Sequence, residues 1–125
     1  MGTAINDIRT VGVPVTDQDR AVEFYVGVLG LQKRLDVPMP ALGGRWIEVA
    51  PPGARTTIAL VPARPGTATG VETQIRLATA DADALRDELA AREVTVGELL
   101  RWEGVPPMFA LRDPDGNGLE VVEAR

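Results

Sequence analysis

The chain has 125 residues, 45% hydrophobic and 25% charged, with a net charge of −5 and neither cysteine nor histidine. Such a size and composition fit one ordinary globular domain. The missing residue types exclude a disulfide framework and a thiol nucleophile, and they remove the imidazole that most often ligates transition metals or serves as a base near neutral pH. Catalysis would fall to carboxylates, Tyr25, Lys33, arginines, hydroxyls or backbone groups. No basic patch is available to neutralise phosphates, so nucleic acid is not an expected partner. No apolar run approaches the roughly 20 residues needed to span a bilayer. Met1 to Ala4 lacks the basic and apolar regions of a secretory leader, so a cytoplasmic location is expected.

In chain order, Asp7 to Val15 alternates, with Val11, Val13 and Val15 on one face and Thr10, Gly12 and Pro14 on the other. This predicts a strand, and Pro14, which cannot donate to a ladder, puts this strand end at an edge or turns its amide away from pairing. Thr16 or Asp17 then caps a helix carrying Ala21, Val22, Phe24, Tyr25, Val28 and Leu29 at three- and four-residue spacing. Gly30 stands where a C-terminal glycine cap belongs, with Leu31 packing back beneath it. Leu31 to Val37 predicts a second strand and Pro38 to Gly44 a loop. Arg45 to Ala50 and Thr56 to Val61 predict two more strands around the Pro51-Pro52-Gly53-Ala54 turn, forming a meander. Module 1 thus covers about residues 5–62, and a connector without apolar periodicity covers 63–70.

Module 2, about residues 71–125, repeats the pattern. Glu72 to Thr79 alternates, and Asp81-Ala82-Asp83 opens a helix bearing Leu85 and Leu89. Thr10 matches Gln74, Val11 Ile75, Val13 Leu77, Asp17 Asp81 and Asp19 Asp83, all at one constant offset. The period exceeds the roughly 20–50 residues of solenoid repeats, which points to two copies of one module. Val94 to Trp102 and Pro107 to Leu111 predict further strands. Arg112-Asp113-Pro114-Asp115-Gly116-Asn117-Gly118 then predicts the turn of a hairpin. In it Asp113 accepts from the amides that follow, and Gly116, Asn117 and Gly118 tolerate positive φ. In the outgoing strand Leu119, Val121 and Glu123 share a face, and Glu120 lies on the other with Val122.

The element order, with Asp17, Ala21-Val22-Glu23-Phe24-Tyr25, Leu29-Gly30-Leu31, Arg45-Trp46 and Asp113-Pro114-Asp115-Gly116-Asn117 followed by Glu120, resembles the vicinal oxygen chelate superfamily. That group includes glyoxalase I, extradiol dioxygenases, fosfomycin-inactivating enzymes and bleomycin-resistance proteins. The resemblance implies an α+β fold of two βαβββ modules in tandem, forming a cup-shaped mixed sheet with helices on the outside. It also implies a homodimer. Metal-using members place His or Glu ligands on the first and last strand of each module, and those places correspond here to Thr10, Ala59, Gln74 and Glu120. Of these Glu120 alone is a credible ligand, whereas an ion with open catalytic positions generally needs about three. No metal and no cofactor are therefore expected.

The function expected is that of a metal-free small-molecule binding protein of the bleomycin-resistance type. It would sequester a drug-like or natural-product ligand in the cup or a dimer crevice. Candidate contacts are Thr10, Trp46, Thr57, Ala59, Gln74, Trp102, Met108 and Glu120, with the tryptophans able to stack on a planar ligand or to serve an interface. The alternative is a metal-independent enzyme, such as an isomerase or lyase, using Glu120 among Thr10, Thr57, Gln74 and Met108 as general acid or base. A divergent metal-dependent lyase or dioxygenase stands third.

Overall fold

The computed structural model describes Gly2 and residues 4–124; Met1, Thr3 and Arg125 lie outside the described residues. The chain divides into two compact units, Met1–Thr67 and Ala68–Arg125. Each carries a mixed sheet in which the module's first and last strands run side by side and parallel.

In the first unit β1 (Thr10–Val15) leads to α1 (Gln18–Val22), then β2 (Gln32–Met39), β3 (Gly44–Ala50) and β4 (Thr57–Pro62). The sheet order is β1-β4-β3-β2, with β2-β3-β4 the expected meander and β1 an edge strand, the first of the two settings Pro14 allowed. Regular pairing begins at Thr10, later than the expected Asp7. The helix starts where Asp17 accepts the Arg20 amide at 3.0 Å, and then widens into a π-helical turn over Glu23–Val28. The sign of that widening is the bond from the Leu29 amide to the Phe24 carbonyl, 2.9 Å, spanning five residues instead of four. It ends on Gly30 at φ 79°, a left-handed value that costs glycine nothing. Phe24 and Tyr25 meet edge to face at 5.3 Å and are both buried, over a layer made by Val13, Val15, Ile47, Val49, Ile58 and Leu60.

The expected loop Pro38 to Gly44 is largely absorbed. Pro38 and Met39 pair with Arg45 and Gly44, and what remains is a single 3₁₀ turn over Pro40–Leu42. Proline is tolerated there because β2 is the other edge of the sheet, where a missing amide leaves no ladder bond unmade.

The second unit contains β5 (Glu72–Thr79), α2 (Ala82–Ala91), β6 (Met108–Arg112) and β7 (Gly118–Glu123), in sheet order β5-β7-β6. Asp81 caps α2 by accepting the Ala84 amide at 3.0 Å. Ala82 and Leu89 of the helix, with Phe109, Leu111, Leu119 and Val121 of the sheet, form its core. The strand expected over Val94 to Trp102 is not regular. It touches β6 through two isolated bridges, Val96 to Leu111 and Leu100 to Met108, whose registers differ by one residue. That is a bulge: one extra residue leaves the ladder broken although the segment still lines β6. Gly97 lies at the break, its amide on the Ala110 carbonyl at 2.8 Å. Among the described residues no helix is long and apolar enough to cross a membrane.

Candidate functional site

Strand alternation assigns the two faces of the first sheet. Ile47 and Val49 turn toward the helix, so Trp46 and Glu48 turn the other way. Glu48 stands opposite Ala59, and Thr10 opposite Thr57, so four of the residues expected to contact a ligand, Thr10, Trp46, Thr57 and Ala59, lie on this non-helical face. At their centre is a residue outside that expected set. Glu48 is only 3% exposed.

Its carboxylate is held from several sides. The Trp46 indole Nε1–H donates to Oε2 at 2.7 Å and the Thr57 hydroxyl to Oε1 at 2.8 Å. Thr57 has one hydroxyl proton, and the anionic acceptor claims it; the Thr10 hydroxyl, 2.8 Å from Thr57 Oγ1, then donates toward Thr57. Arg9 reaches both oxygens, Nη1 to Oε1 at 3.2 Å and Nη2 to Oε2 at 3.3 Å, although its side chain is 72% exposed. Burial pushes the Glu48 pKa up, but the Trp46 and Thr57 hydrogen bonds and the Arg9 charge outweigh it and hold the group below the ordinary glutamate value. Glu48 is thus a buried anion at neutral pH, pinning the Trp46 ring in place.

In the second sheet Glu120 stands opposite Arg76 and Ala110, and Met108 opposite Val122, so Met108 and Glu120 share one face. Glu120 does not have the buried setting expected of a general acid or base. Its carboxylate is about one-third exposed and pairs with Arg76 at 3.1 Å. Gln74 lies within the irregularity between Glu72 and Arg76, and its φ of 65° is left-handed, a strained value for a residue with a side chain. The Thr73 hydroxyl bridges the irregularity, donating to the Gly118 carbonyl at 2.7 Å and accepting from the Ile75 amide at 3.2 Å. Trp102 is 61% exposed in the turn that joins its carbonyl to the Val105 amide.

The hairpin between β6 and β7 is built as its sequence implied. Asp113 Oδ1 accepts the amides of Asp115 and Asn117, both at 2.9 Å, and Oδ2 accepts the Asn117 side-chain amide at 3.0 Å. Asn117, fully buried, accepts the Val71 amide at 3.1 Å and so ties the turn to the start of β5. Positive φ is needed at Gly116 alone, not at Asn117 or Gly118.

The sequence profile of the Glyoxalase/Bleomycin resistance protein/Dioxygenase superfamily matches residues 7–121. The chain belongs to this superfamily. Among solved structures of similar fold is TnmS3, an antibiotic binding protein from Streptomyces sp. CB03234. It is 33% identical, the match covers 99% of this chain and 100% of that one, and the TM-score is 0.88. A glyoxalase/bleomycin resistance protein from the same organism is 34% identical over 93% of this chain and 99% of its own, with TM-score 0.79. A superfamily member from Sphaerobacter thermophilus DSM 20745 is 32% identical over 98% and 100%, with TM-score 0.84. The uncharacterized protein YetH of Bacillus subtilis strain 168 is 40% identical over 58 residues, a match spanning about half of that relative, 48% of its length.

Of the four places that the resemblance implies for metal ligands, Thr10, Ala59, Gln74 and Glu120, three offer an ion little. Ala59 offers no donor atom, Thr10 is engaged with Thr57, and Glu120 is neutralised by Arg76. Among the described residues, no group of three or more carboxylates is placed to hold a metal. Glu48 lies directly across from Ala59, one strand away from the place the superfamily would use. The available signal was the alternation of Trp46, Glu48 and Ala50 against Ile47 and Val49, which puts Glu48 on the face of Thr57 and Ala59.

Proposed function

We propose that this chain is a metal-free small-molecule binding protein of the bleomycin-resistance type. It sequesters a drug-like or natural-product ligand without transforming it, in the cytoplasm and as a homodimer. The observation that carries the reading is the end-to-end likeness to TnmS3, described as an antibiotic binding protein. The chemistry of the first sheet's non-helical face supports it. A half-buried indole, fixed through Glu48, supplies a rigid aromatic surface, and Thr10 and Thr57 set hydroxyls beside it. The enzymatic alternative, with Glu120 transferring a proton, has weaker support because Arg76 neutralises that carboxylate and water reaches it.

A thermal-shift screen of natural products and small acids tests the proposal. A ligand present at a hundred times its dissociation constant should stabilise the fold by about 2.7 kcal/mol, a rise of several degrees in Tm. Protein purified without added metal should carry no stoichiometric Fe, Zn, Mn or Ni by elemental analysis. One tightly held ion per chain would contradict the metal-free part of the reading.

A further inference from the structure

We infer that Glu48 is a cation-binding carboxylate and that Arg9 is its exchangeable counter-ion, so that the ligand of this face carries an ammonium, amidinium or guanidinium group. The inference rests on the binding role proposed above and adds the ligand's chemical class and the residue that reads it.

Among the described residues, the buried polar ones are Glu48, Thr57, Asp113 and Asn117. Asp113 spends its oxygens on the amides of its own turn, whereas Glu48 depends for charge neutralisation on a side chain from outside its strand. The two kinds of partner differ in how firmly they hold. Trp46 and Thr57 bind at 2.7 and 2.8 Å from rigid strand positions. Arg9 binds at 3.2 and 3.3 Å, beyond the roughly 2.7–2.9 Å usual for charge-assisted bonds. With its side chain 72% exposed, Arg9 loses little by returning to water and regains rotamer freedom.

The backbone permits that swing. The Arg9 carbonyl accepts the Thr57 amide at 3.2 Å, so the main chain stays anchored to β4 while the guanidinium moves. What cannot follow is an uncompensated carboxylate, because a buried anion stripped of its cation is strongly destabilised. Departure of Arg9 therefore requires another cation in the same place. The freed lone pairs also require N–H donors, which an amine or a guanidinium supplies and a quaternary ammonium does not. The pairs made by Arg45 and Arg76 serve different ends. Arg45 bridges Asp36 at 3.0 Å and Asp19 at 2.7 Å, tying α1 to the sheet, and the Glu120 partner of Arg76 is already exposed to water.

The test follows the Trp46 indole N–H resonance, assigned by comparison with Trp102→Phe, during titration with methylguanidinium chloride. Tetramethylammonium chloride at matched ionic strength is the control. In Arg9→Ala, and in Arg9→Gln as a second variant that keeps the side chain's bulk, methylguanidinium should give a saturable shift. The midpoint should lie at least about fivefold below that of the wild type, since the competing side chain is gone. Tetramethylammonium should give none, and adding Glu48→Gln should abolish the effect. Equal responses to both salts, the same midpoint with and without Arg9, or a shift that survives Glu48→Gln would overturn the inference. Natural-product binders whose affinity ignores both substitutions would also overturn it while leaving the binding role intact. Saturable methylguanidinium binding in a protein that holds no drug-sized molecule would keep Glu48 as a cation site and remove the sequestering role.

Discussion

At the scale of residues, Glu48 makes stability depend on pH in a definite direction. Its pKa is lower in the fold than in the open chain, so below the ordinary glutamate value of 4.5 the unfolded state binds the proton more readily. The stabilisation is complete above that value and is lost as pH falls through the lowered folded one. Asp36, drawn down chiefly by its hydrogen bond to Arg45, acts in the same direction from the surface. Glu48→Gln should cost roughly 1.5–3 kcal/mol at pH 7, through weakened bonds to Trp46 and Thr57, and should flatten the acid limb. Urea unfolding at pH 7 and pH 4 measures both effects; a constant difference between variant and wild type would refute the assignment. Glu120→Gln should change stability by no more than about 1 kcal/mol at either pH, as expected for an exposed pair. The contrast shows why Glu120 was legible in the sequence and Glu48 was not. Glu120 stands beside a recognisable turn, whereas Glu48 is buried by Thr57 from the next strand and covered by Arg9 from 39 residues earlier.

At the scale of elements, the parts legible in the sequence are those whose causes are local. Asp17 and Asp81 each cap a helix within three residues, Gly30 takes the left-handed φ at a helix end, and Asp113 accepts amides two and four residues ahead. The Asp113 turn can be tested directly. Asp113→Ala leaves the Asp115 and Asn117 amides and the buried Asn117 side chain without that acceptor, and should destabilise the protein by roughly 3 kcal/mol. A loss under about 1 kcal/mol would show that the turn holds itself. Elements whose geometry is set by a distant partner were harder to read. The Val94 to Trp102 segment has strand-like residues, but its register against β6 slips by one, and nothing in its own sequence dictates that slip. Pro38 and Met39 look like loop residues and become strand because Arg45 and Gly44 pair with them at a sheet edge. The helix over Gln18 to Val28 was expected in position, but its π winding was not.

At the scale of the whole molecule, the repetition of one strand-helix-strands module was visible as the constant offset between Thr10 and Gln74, Asp17 and Asp81, whereas the parallel pairing of first and last strands, β1 with β4 and β5 with β7, was not. That duplication, with the final hairpin, is what made the superfamily recognisable before any geometry. Because the hallmarks are structural, the same fold serves many chemistries, and the function has to be argued from side chains. Assembly is a separate expectation. A self-complementary surface would give a closed homodimer, and sedimentation equilibrium at micromolar concentration should show twice the chain mass; a clean monomer would remove any shared site from the proposal. The central claim is that the protein holds its ligand and leaves it unchanged. The most direct measurement is mass spectrometry of a screened ligand recovered from the purified protein after prolonged incubation, alongside calorimetry of the same pair. The account predicts saturable binding and recovery of the ligand at its original mass; a ligand returned chemically altered by the wild type, but unaltered by Glu120→Gln, would contradict it.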